Sequence, residues 1–233
     1  MPTPRTALTA RARIQEVDRR LEVRFPGTAA SLCALRHRNA FELVVATVLS
    51  AQCTDTRVNE VTPQLFARFA TPTAMVAAPR DELEQLLYPT GFFRAKADHL
   101  LGLSALLCER FGGEVPSSLV DLQSLPGVGK KTANVVRSVA FGLPGLPVDT
   151  HVMRLSRRLG LTRATEPLGI ERALCRALEP SEWGAFSVRM ILHGRATCTA
   201  RRPACDACAL EDLCPKRGVT PPTRGAAKPR TSR

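Results

Sequence analysis

The chain has 233 residues, and 44% of them are hydrophobic. This is enough to bury one large core or two small ones, and it excludes a disordered protein. No apolar run approaches the length of a membrane-spanning helix, and the amino-terminal segment lacks the apolar stretch of a signal peptide. We therefore expect a cytoplasmic protein without a membrane partner.

The charge balance is strongly basic. The chain has 33 lysines and arginines against 21 acidic residues, a formal charge of +12. Half of this excess lies in residues 216–233, and the other half lies in the part of the chain that we expect to fold. An excess of this size indicates a polyanionic partner, and nucleic acid is the first candidate. The alternative is an ordinary soluble protein with a basic tail.

Hydrophobic residues recur at helical spacing along almost the whole chain, and no segment shows the period-two alternation of a strand. Ile14, Val17 and Leu21 predict a first helix. Further helices are predicted at residues 41–52, 58–69, 81–87, 95–111, 118–124, 130–141, 150–159, 167–178 and 181–193. We place Pro63 in a first turn or at a kink. The fold class is all-α with about ten helices.

Residues 125–136 read LPGVGKKTANVV and predict two short helices joined by a glycine turn. Gly127 and Gly129 permit positive φ angles and close backbone approach. Successive N–H groups beside a helix amino terminus form a site for an anion such as a DNA phosphate. The turn therefore predicts sequence-independent DNA binding, with Lys130 adding positive charge. The alternative is an ordinary connection between two helices.

Eight cysteines in an intracellular chain favour a metal site over disulfides. Four of them follow the spacing C-x6-C-x2-C-x5-C, at Cys198, Cys205, Cys208 and Cys214. Four thiolates can hold one zinc ion or one [4Fe–4S] cluster, and the spacing does not distinguish the two. Three arginines, Arg195, Arg201 and Arg202, lie just before or within this segment and suggest a second phosphate-contacting surface.

Several segments together resemble the endonuclease III family, the bifunctional DNA glycosylase/AP lyase branch of the helix-hairpin-helix superfamily. They are LSAQCTD at 49–55, LPGVGKKTANVV at 125–136, VDTH at 148–151, and ILHGRATC at 191–198 followed by the cysteine spacing. The resemblance covers roughly residues 10–216. It implies removal of oxidised pyrimidines from double-stranded DNA by a monomeric, nucleoid-associated enzyme.

The resemblance also implies an architecture. A six-helix domain at residues 33–143 would carry the hairpin, and residues 1–32 with 144–216 would form an iron–sulfur domain. The DNA would bind in the cleft between them. The four cysteines would hold a [4Fe–4S] cluster rather than zinc. The segment 217–233 is rich in proline, glycine and basic residues, and we expect it to be disordered.

The family's functional residues fall on matching positions of this chain. Lys131 would be the nucleophile that attacks the sugar and forms a Schiff base, and Asp149 the catalytic carboxylate. The positive end of a helix and the neighbouring Lys130 both favour the neutral, nucleophilic amine of Lys131. Gln52 would fill the gap left by the extruded base. Phe92 stands where the family commonly has a leucine wedge.

Two alternatives differ in chemistry. A mismatch adenine glycosylase of the same superfamily would lack the nucleophilic lysine, use a glutamate in the early helix and usually carry a further domain. Residues 41–52 contain only Glu42, at their start. A noncatalytic DNA-binding module would bind DNA with steep salt dependence and form no covalent bond to it.

Overall fold

The computed structural model describes residues 8–219. These residues contain no strand, which confirms the all-α prediction. The eleven α-helices are α1 Ala10–Arg24, α2 Ala40–Leu49, α3 Asp55–Arg68, α4 Pro72–Val76, α5 Arg80–Leu87, α6 Phe93–Phe111, α7 Leu119–Ser124, α8 Lys130–Ala140, α9 Thr150–Arg158, α10 Pro167–Cys175 and α11 Trp183–Ala196. Short 3-10 helices lie at Tyr88–Thr90, Pro180–Glu182, Cys205–Ala207 and Glu211–Leu213. None of the described helices is both long and apolar enough to span a bilayer.

Side-chain caps explain where several of these helices begin. In each case a hydroxyl, amide or carboxylate oxygen accepts a hydrogen bond from a free backbone N–H of the first turn. The capping residues are Thr9, Asn39, Thr54, Thr71, Ser118 and Asp149. Helix α6 ends as predicted, at Gly112 with φ 62°. Pro63 lies well inside α3, beyond its first turn.

The first core is built from α2 to α8. Its buried residues are almost entirely aliphatic, and they lie between Leu35 and Val136 in the sequence. Val44, Leu49, Leu65 and Leu100 are fully or almost fully buried. Because α2 is apolar on every side, it forms the centre of this core.

The second core combines distant parts of the chain. Ile14, Val17 and Leu21 of α1 pack with buried residues between Leu146 and Leu210. The side chain of Arg189 on α11 is also buried, and it binds Asp18 and Glu22 of α1 at 3.0 Å each. We propose that the two cores belong to the two domains predicted from the sequence.

The two cores meet where α11 crosses α8. A Cβ atom on Gly184 would lie 2.5 Å from Cβ of Ser138 and 3.0 Å from Cβ of Ala29. Glycine is therefore required for α11 to approach α8 this closely. The contact joins the helix that begins with the two lysines to the helix that leads into the cysteine segment.

The segment after the last cysteine differs in part from its prediction. The N–H of Arg217 donates to the carbonyl of Arg158 at 3.2 Å, so residues 217–219 pack against α9 instead of opening a disordered tail. Residues 220–233, on which the rest of that prediction falls, lie outside the described residues.

Candidate active site

The glycine turn connects α7 to α8, and its two glycines differ in what requires them. Gly127 has φ 78°, and a Cβ there would lie 2.9 Å from Cγ of His99 on α6. Gly129 has φ −81°, and a Cβ there would meet no protein atom within 4 Å. The fold itself therefore requires glycine at 127. At 129 the missing side chain leaves the backbone open to an external partner.

The two lysines at the start of α8 have different surroundings. The ammonium group of Lys130 lies 2.9 Å from a carboxylate oxygen of Glu171 on α10. Lys131 is exposed, and within residues 8–219 its side chain has no hydrogen-bond or ion-pair partner. Lys130 is therefore held against α10, and Lys131 presents the available amine.

Hydrogen bonds hold the segment between α8 and α9, which ends at Asp149, against α8 and α11. The amide of Asn134 on α8 donates to the carbonyl of Leu146 at 3.3 Å, and Ser187 on α11 donates to the carbonyl of Pro147. These bonds fix the buried chain directly before Asp149. The carboxylate of Asp149 then accepts the N–H of Val152 at 2.9 Å and caps α9. Asp149 remains partly exposed.

His151 follows in the first turn of α9. Burial lowers the pKa of its imidazole, and Arg154 and Arg195 lower the pKa further, while Asp149 opposes the shift. The guanidinium of Arg154 donates to Nδ1 of His151 at 3.0 Å. This contact and the burial of the ring hold the imidazole in place. We assign His151 a structural role.

The loop before α3 carries Gln52, and the loop before α6 carries Phe92. Both residues have left-handed backbones, with φ 54° and 49°, and both side chains are exposed. Left-handed geometry is costly for residues other than glycine and is common at functional sites. Below the second loop, the buried Lys96 donates to the carbonyl of Thr90 at 2.8 Å. Burial lowers the pKa of Lys96.

Arg195 was expected on a phosphate-contacting surface, but the structure pairs it. Its guanidinium lies 2.8 Å from the carboxylate of Asp55 at the start of α3. Asp55 begins α3, directly after the loop that carries Gln52, and Arg195 lies just before Cys198. The ion pair therefore connects the start of α3 to the end of α11, just before the cysteine segment. Arg201 and Arg202 are exposed on that segment.

The four cysteines of the predicted centre line one cavity. Its volume, including its opening, is about 390 Å³, and α9 and α11 form its floor. Burial raises the pKa of the Cys208 and Cys214 thiols. Metal ligation is the usual way to keep thiolates in such surroundings.

Groups around the cavity are placed to stabilise bound thiolates. The guanidinium of Arg158 lies 3.3 Å from Sγ of Cys198. The N–H groups of Leu210 and Lys216 lie 3.4 and 3.3 Å from Sγ of Cys208 and Cys214. Arg158 also donates to the carbonyls of Thr199 and Ala200, at 2.7 Å each. Such donors orient cluster ligands and tune the group they hold.

The cavity fits a cluster better than a single ion. Among residues 8–219, no group of three or more His, Cys, Asp or Glu side chains is placed to hold one metal ion. The four thiols nevertheless surround one space. Four thiolates around one space are the ligand set of a [4Fe–4S] cluster.

Matches to protein families cover both parts of this site. The family described as HhH-GPD superfamily base excision DNA repair protein matches residues 45–180. The iron–sulfur binding domain of endonuclease III matches residues 198–214. This match supports the predicted [4Fe–4S] cluster over the alternative of a zinc ion.

Similar proteins extend these matches to nearly the whole chain. Endonuclease III of Synechocystis sp. is 48% identical over 212 residues, which cover 91% of this chain and 95% of that protein. Endonuclease III of Bacillus subtilis is 48% identical over 183 residues, or 78% and 84% of the two chains. An endonuclease III solved as a trapped covalent intermediate with DNA is 45% identical, with a TM-score of 0.83 over 90% of this chain and 97% of that chain.

Proposed function

The chain belongs to the endonuclease III family, and on that premise we propose how its residues carry out base excision. It is a DNA glycosylase with AP lyase activity, and it contains a [4Fe–4S] cluster. The assignment of individual residues rests on one observation. Of the two lysines beside the glycine turn, Glu171 holds Lys130, and only Lys131 presents an unpaired amine.

Lys131 is the nucleophile in this proposal. Its neutral amine attacks C1′ of the damaged nucleotide, and the glycosidic bond breaks with its electron pair moving to the leaving base. One amine proton goes to the departing base. The nitrogen lone pair then breaks the C1′–O4′ bond, O4′ takes the second amine proton, and a Schiff base to the opened sugar remains. A proton then leaves C2′ and the C3′–O bond breaks, which cuts the strand 3′ to the lesion. Water hydrolyses the imine and releases Lys131.

Asp149 supports this step by its charge. A carboxylate near the sugar stabilises the positive, oxocarbenium-like character that develops as the base departs. It can also accept a proton from the attacking amine. One carboxylate oxygen already caps α9 through Val152, so the side chain is fixed before the DNA binds.

The remaining predicted residues contact DNA in this proposal. The exposed backbone of the turn at Gly127 and Gly129 binds a phosphate, and Lys130 adds positive charge beside it. Gln52 and Phe92 enter the space left by the extruded nucleotide from their left-handed loops. The exposed Arg201 and Arg202 bind phosphates on the cysteine segment. One chain supplies all of these groups, which favours a monomer acting at the nucleoid.

Cys198, Cys205, Cys208 and Cys214 would hold the cluster. When bound, it supplies four metal–thiolate bonds that fix the fold of residues 198–214. No step of base excision needs it to gain or lose an electron. It would also fix the loop that carries Arg201 and Arg202.

Oxidised pyrimidines are the proposed substrates. The support is the family membership together with the matching Gln52, Lys131 and Asp149 positions. Phe92 in place of the common leucine fills more space next to the lesion. We therefore expect excision of oxidised thymine and cytosine from duplexes, with little excision of oxidised guanine. Phe92→Leu should shift the preference among these lesions more than it changes binding to undamaged DNA.

Borohydride trapping tests the nucleophile. Borohydride reduces a Schiff base to a stable protein–DNA crosslink, so wild type should crosslink to a duplex that contains an abasic site. Lys131→Ala should lose the crosslink completely. Lys130→Ala is the matched control one position away, and at saturating DNA it should crosslink like wild type. Crosslinking by Lys131→Ala would assign the nucleophile to another amine. No crosslinking by wild type would favour the noncatalytic or lysine-free alternative.

Asp149→Asn tests the carboxylate separately from the cap. Asparagine is as good a helix cap as aspartate, so α9 should keep its start. Loss of the charge should slow base release by ~10²–10³-fold. Single-turnover rates on an oxidised-pyrimidine duplex measure this loss, and circular dichroism checks that the fold is kept. A rate close to wild type would assign Asp149 to capping alone.

A further inference from the structure

Two adjoining clefts on the side of the second core are lined by arginines. One lies between α9, the loop before α10 and residues 217–218. The other lies between the start of α1, the end of α9 and α10. Thr162, Arg163 and Arg217 line both clefts, so the two form one continuous surface, which we call the arginine trough. Its exposed arginines are Arg11, Arg157, Arg163, Arg176 and Arg217.

These arginines lack acidic partners. No aspartate or glutamate lines either cleft, and none of the five forms an ion pair within residues 8–219. A cleft between α3 and α5 shows the opposite arrangement. There Arg57 lies 2.6 Å from Glu60, and Arg68 lies 2.7 Å from Glu82. Five unpaired guanidinium groups on one surface repel each other, and a bound anion would relieve that repulsion.

The trough is separate from the proposed active site. Asp149 caps the start of α9, and Arg157 lies near the other end of that helix. Eight residues separate the two, which corresponds to ~12 Å along the helix axis. Neither Lys131 nor the glycine turn lines the trough.

The lining indicates the kind of anion. A free phosphate or nucleotide carries only a few charges, whereas duplex DNA presents one charge per ~1.7 Å of its axis. Five arginines spread over two clefts match the extended ligand. Single-stranded DNA is usually bound by stacking on aromatic side chains, and neither cleft has one. Guanidinium groups bind phosphates well without reading the base sequence.

We infer that the arginine trough binds the backbone of a second DNA duplex while the active site holds the first. The binding is independent of sequence and of damage. It would allow the enzyme to contact a neighbouring DNA segment before it releases its product.

A covalent complex tests this inference with the active site already filled. Borohydride first traps the enzyme on a short duplex with an abasic site, and failure at this stage would count against the proposed function alone. An undamaged, fluorescently labelled duplex is then added to the purified complex, and its anisotropy is measured. The wild-type complex should bind it. Arg163→Gln, Arg176→Gln and Arg217→Gln in one chain should weaken this binding at least ~10-fold.

The control removes three other arginines and the same charge. Arg57, Arg68 and Arg80 are exposed and ion-paired, so replacing all three with glutamine should change the binding less than ~3-fold. The salt dependence should also separate the variants. Loss of three phosphate contacts should reduce the slope of log K against log salt by ~3 in the trough variant only.

Three results would overturn the inference. One is a wild-type covalent complex that binds no second duplex. Another is equal weakening in both triple variants, which would indicate a general effect of net charge. The third is binding of inorganic pyrophosphate without binding of a duplex, which would make the trough a site for small anions. Both triple variants should still crosslink to the abasic duplex, because no mutated residue belongs to the active site.

Discussion

The two cores of this enzyme are stabilised in different ways. The first core consists of neighbouring helices in the sequence, packed through aliphatic side chains. The second joins α1 to helices more than a hundred residues later, and its walls contain the buried Arg158 and Arg189. The first core relies mainly on apolar burial, whereas the second adds ionic bonds, arginine–carbonyl bonds and the cluster.

The difference matches the tasks of the two regions. The first core carries the left-handed loops at Gln52 and Phe92, whose strain a well-packed core can support. The second core positions the cysteine segment, which has only short 3-10 helices of its own. A segment with so little regular structure needs metal bonds and charged hydrogen bonds to remain ordered. The strained loops therefore depend on the apolar packing of the first core, and the cysteine segment depends on the ionic and metal bonds of the second.

Loss of the cluster should have the largest effect. Cys208→Ala should destabilise the second core by about 5 kcal/mol or more, because cluster binding and folding of this region are coupled. Trp183 is the chain's only tryptophan and packs on the second core, so its fluorescence in urea measures the loss. Cys175→Ala is the control, because this cysteine lies outside the cluster cavity. Equal unfolding midpoints would contradict the proposed dependence on the cluster.

Replacement of Arg158 should have the second-largest effect on stability. Its guanidinium donates hydrogen bonds to the carbonyls of Thr199 and Ala200 and to Sγ of Cys198. Arg158→Gln leaves most of these acceptors unpaired and should cost about 3–4 kcal/mol. Arg157→Gln, at the neighbouring exposed position, should cost less than about 0.5 kcal/mol. Urea unfolding of both variants measures the difference, and similar costs would show that the arginine–carbonyl bonds matter little.

The buried ion pair should give the second core its own pH dependence. Burial raises the pKa of Asp18 to about 6, and Arg189 opposes the rise. Between the usual aspartate pKa and about 6, the folded protein binds a proton that the unfolded chain does not. The stability contributed by Asp18 should therefore fall, by at most about 3 kcal/mol, as the pH rises through this range. The stability difference between wild type and Asp18→Asn, from urea titrations at several pH values, should show this fall; a constant difference would contradict it.

Alanine substitutions in the glycine turn should have the smallest effects on stability. Gly127→Ala forces a left-handed alanine against His99 and should cost about 1–2 kcal/mol. Gly129→Ala adds a methyl group in open space and should leave stability unchanged while it weakens DNA binding. Thermal unfolding and DNA anisotropy together separate the two glycines. A stable Gly127→Ala, or normal DNA binding by Gly129→Ala, would break the distinction.

Most of the helices were predictable because their information is local. Capping residues such as Ser118, terminating glycines such as Gly112 and the spacing of apolar residues all act within a few positions. Lys131, Asp149 and the four cysteines were identifiable because each belongs to a short motif. The motifs also suggested the kind of chemistry before any distance was known.

Contacts between distant residues were not predictable. Nothing near Lys130 indicates that Glu171 pairs with it, and nothing near Arg195 indicates Asp55. Both pairs depend on how whole helices pack. The two glycines of the turn also look alike in the sequence, although His99, on another helix, makes only Gly127 indispensable to the fold.

The position of α1 has a consequence for synthesis of the chain. This helix leaves the ribosome before α2 to α11, but its apolar side packs on residues that are translated more than a hundred positions later, as far as Leu210. The first core can close as soon as residues 35–136 have emerged. Ile14, Val17 and Leu21 must stay uncovered until the rest of the second core arrives. In the growing chain, α1 therefore stays exposed until the later helices of the second core have emerged. It is the segment that a nascent-chain chaperone would meet.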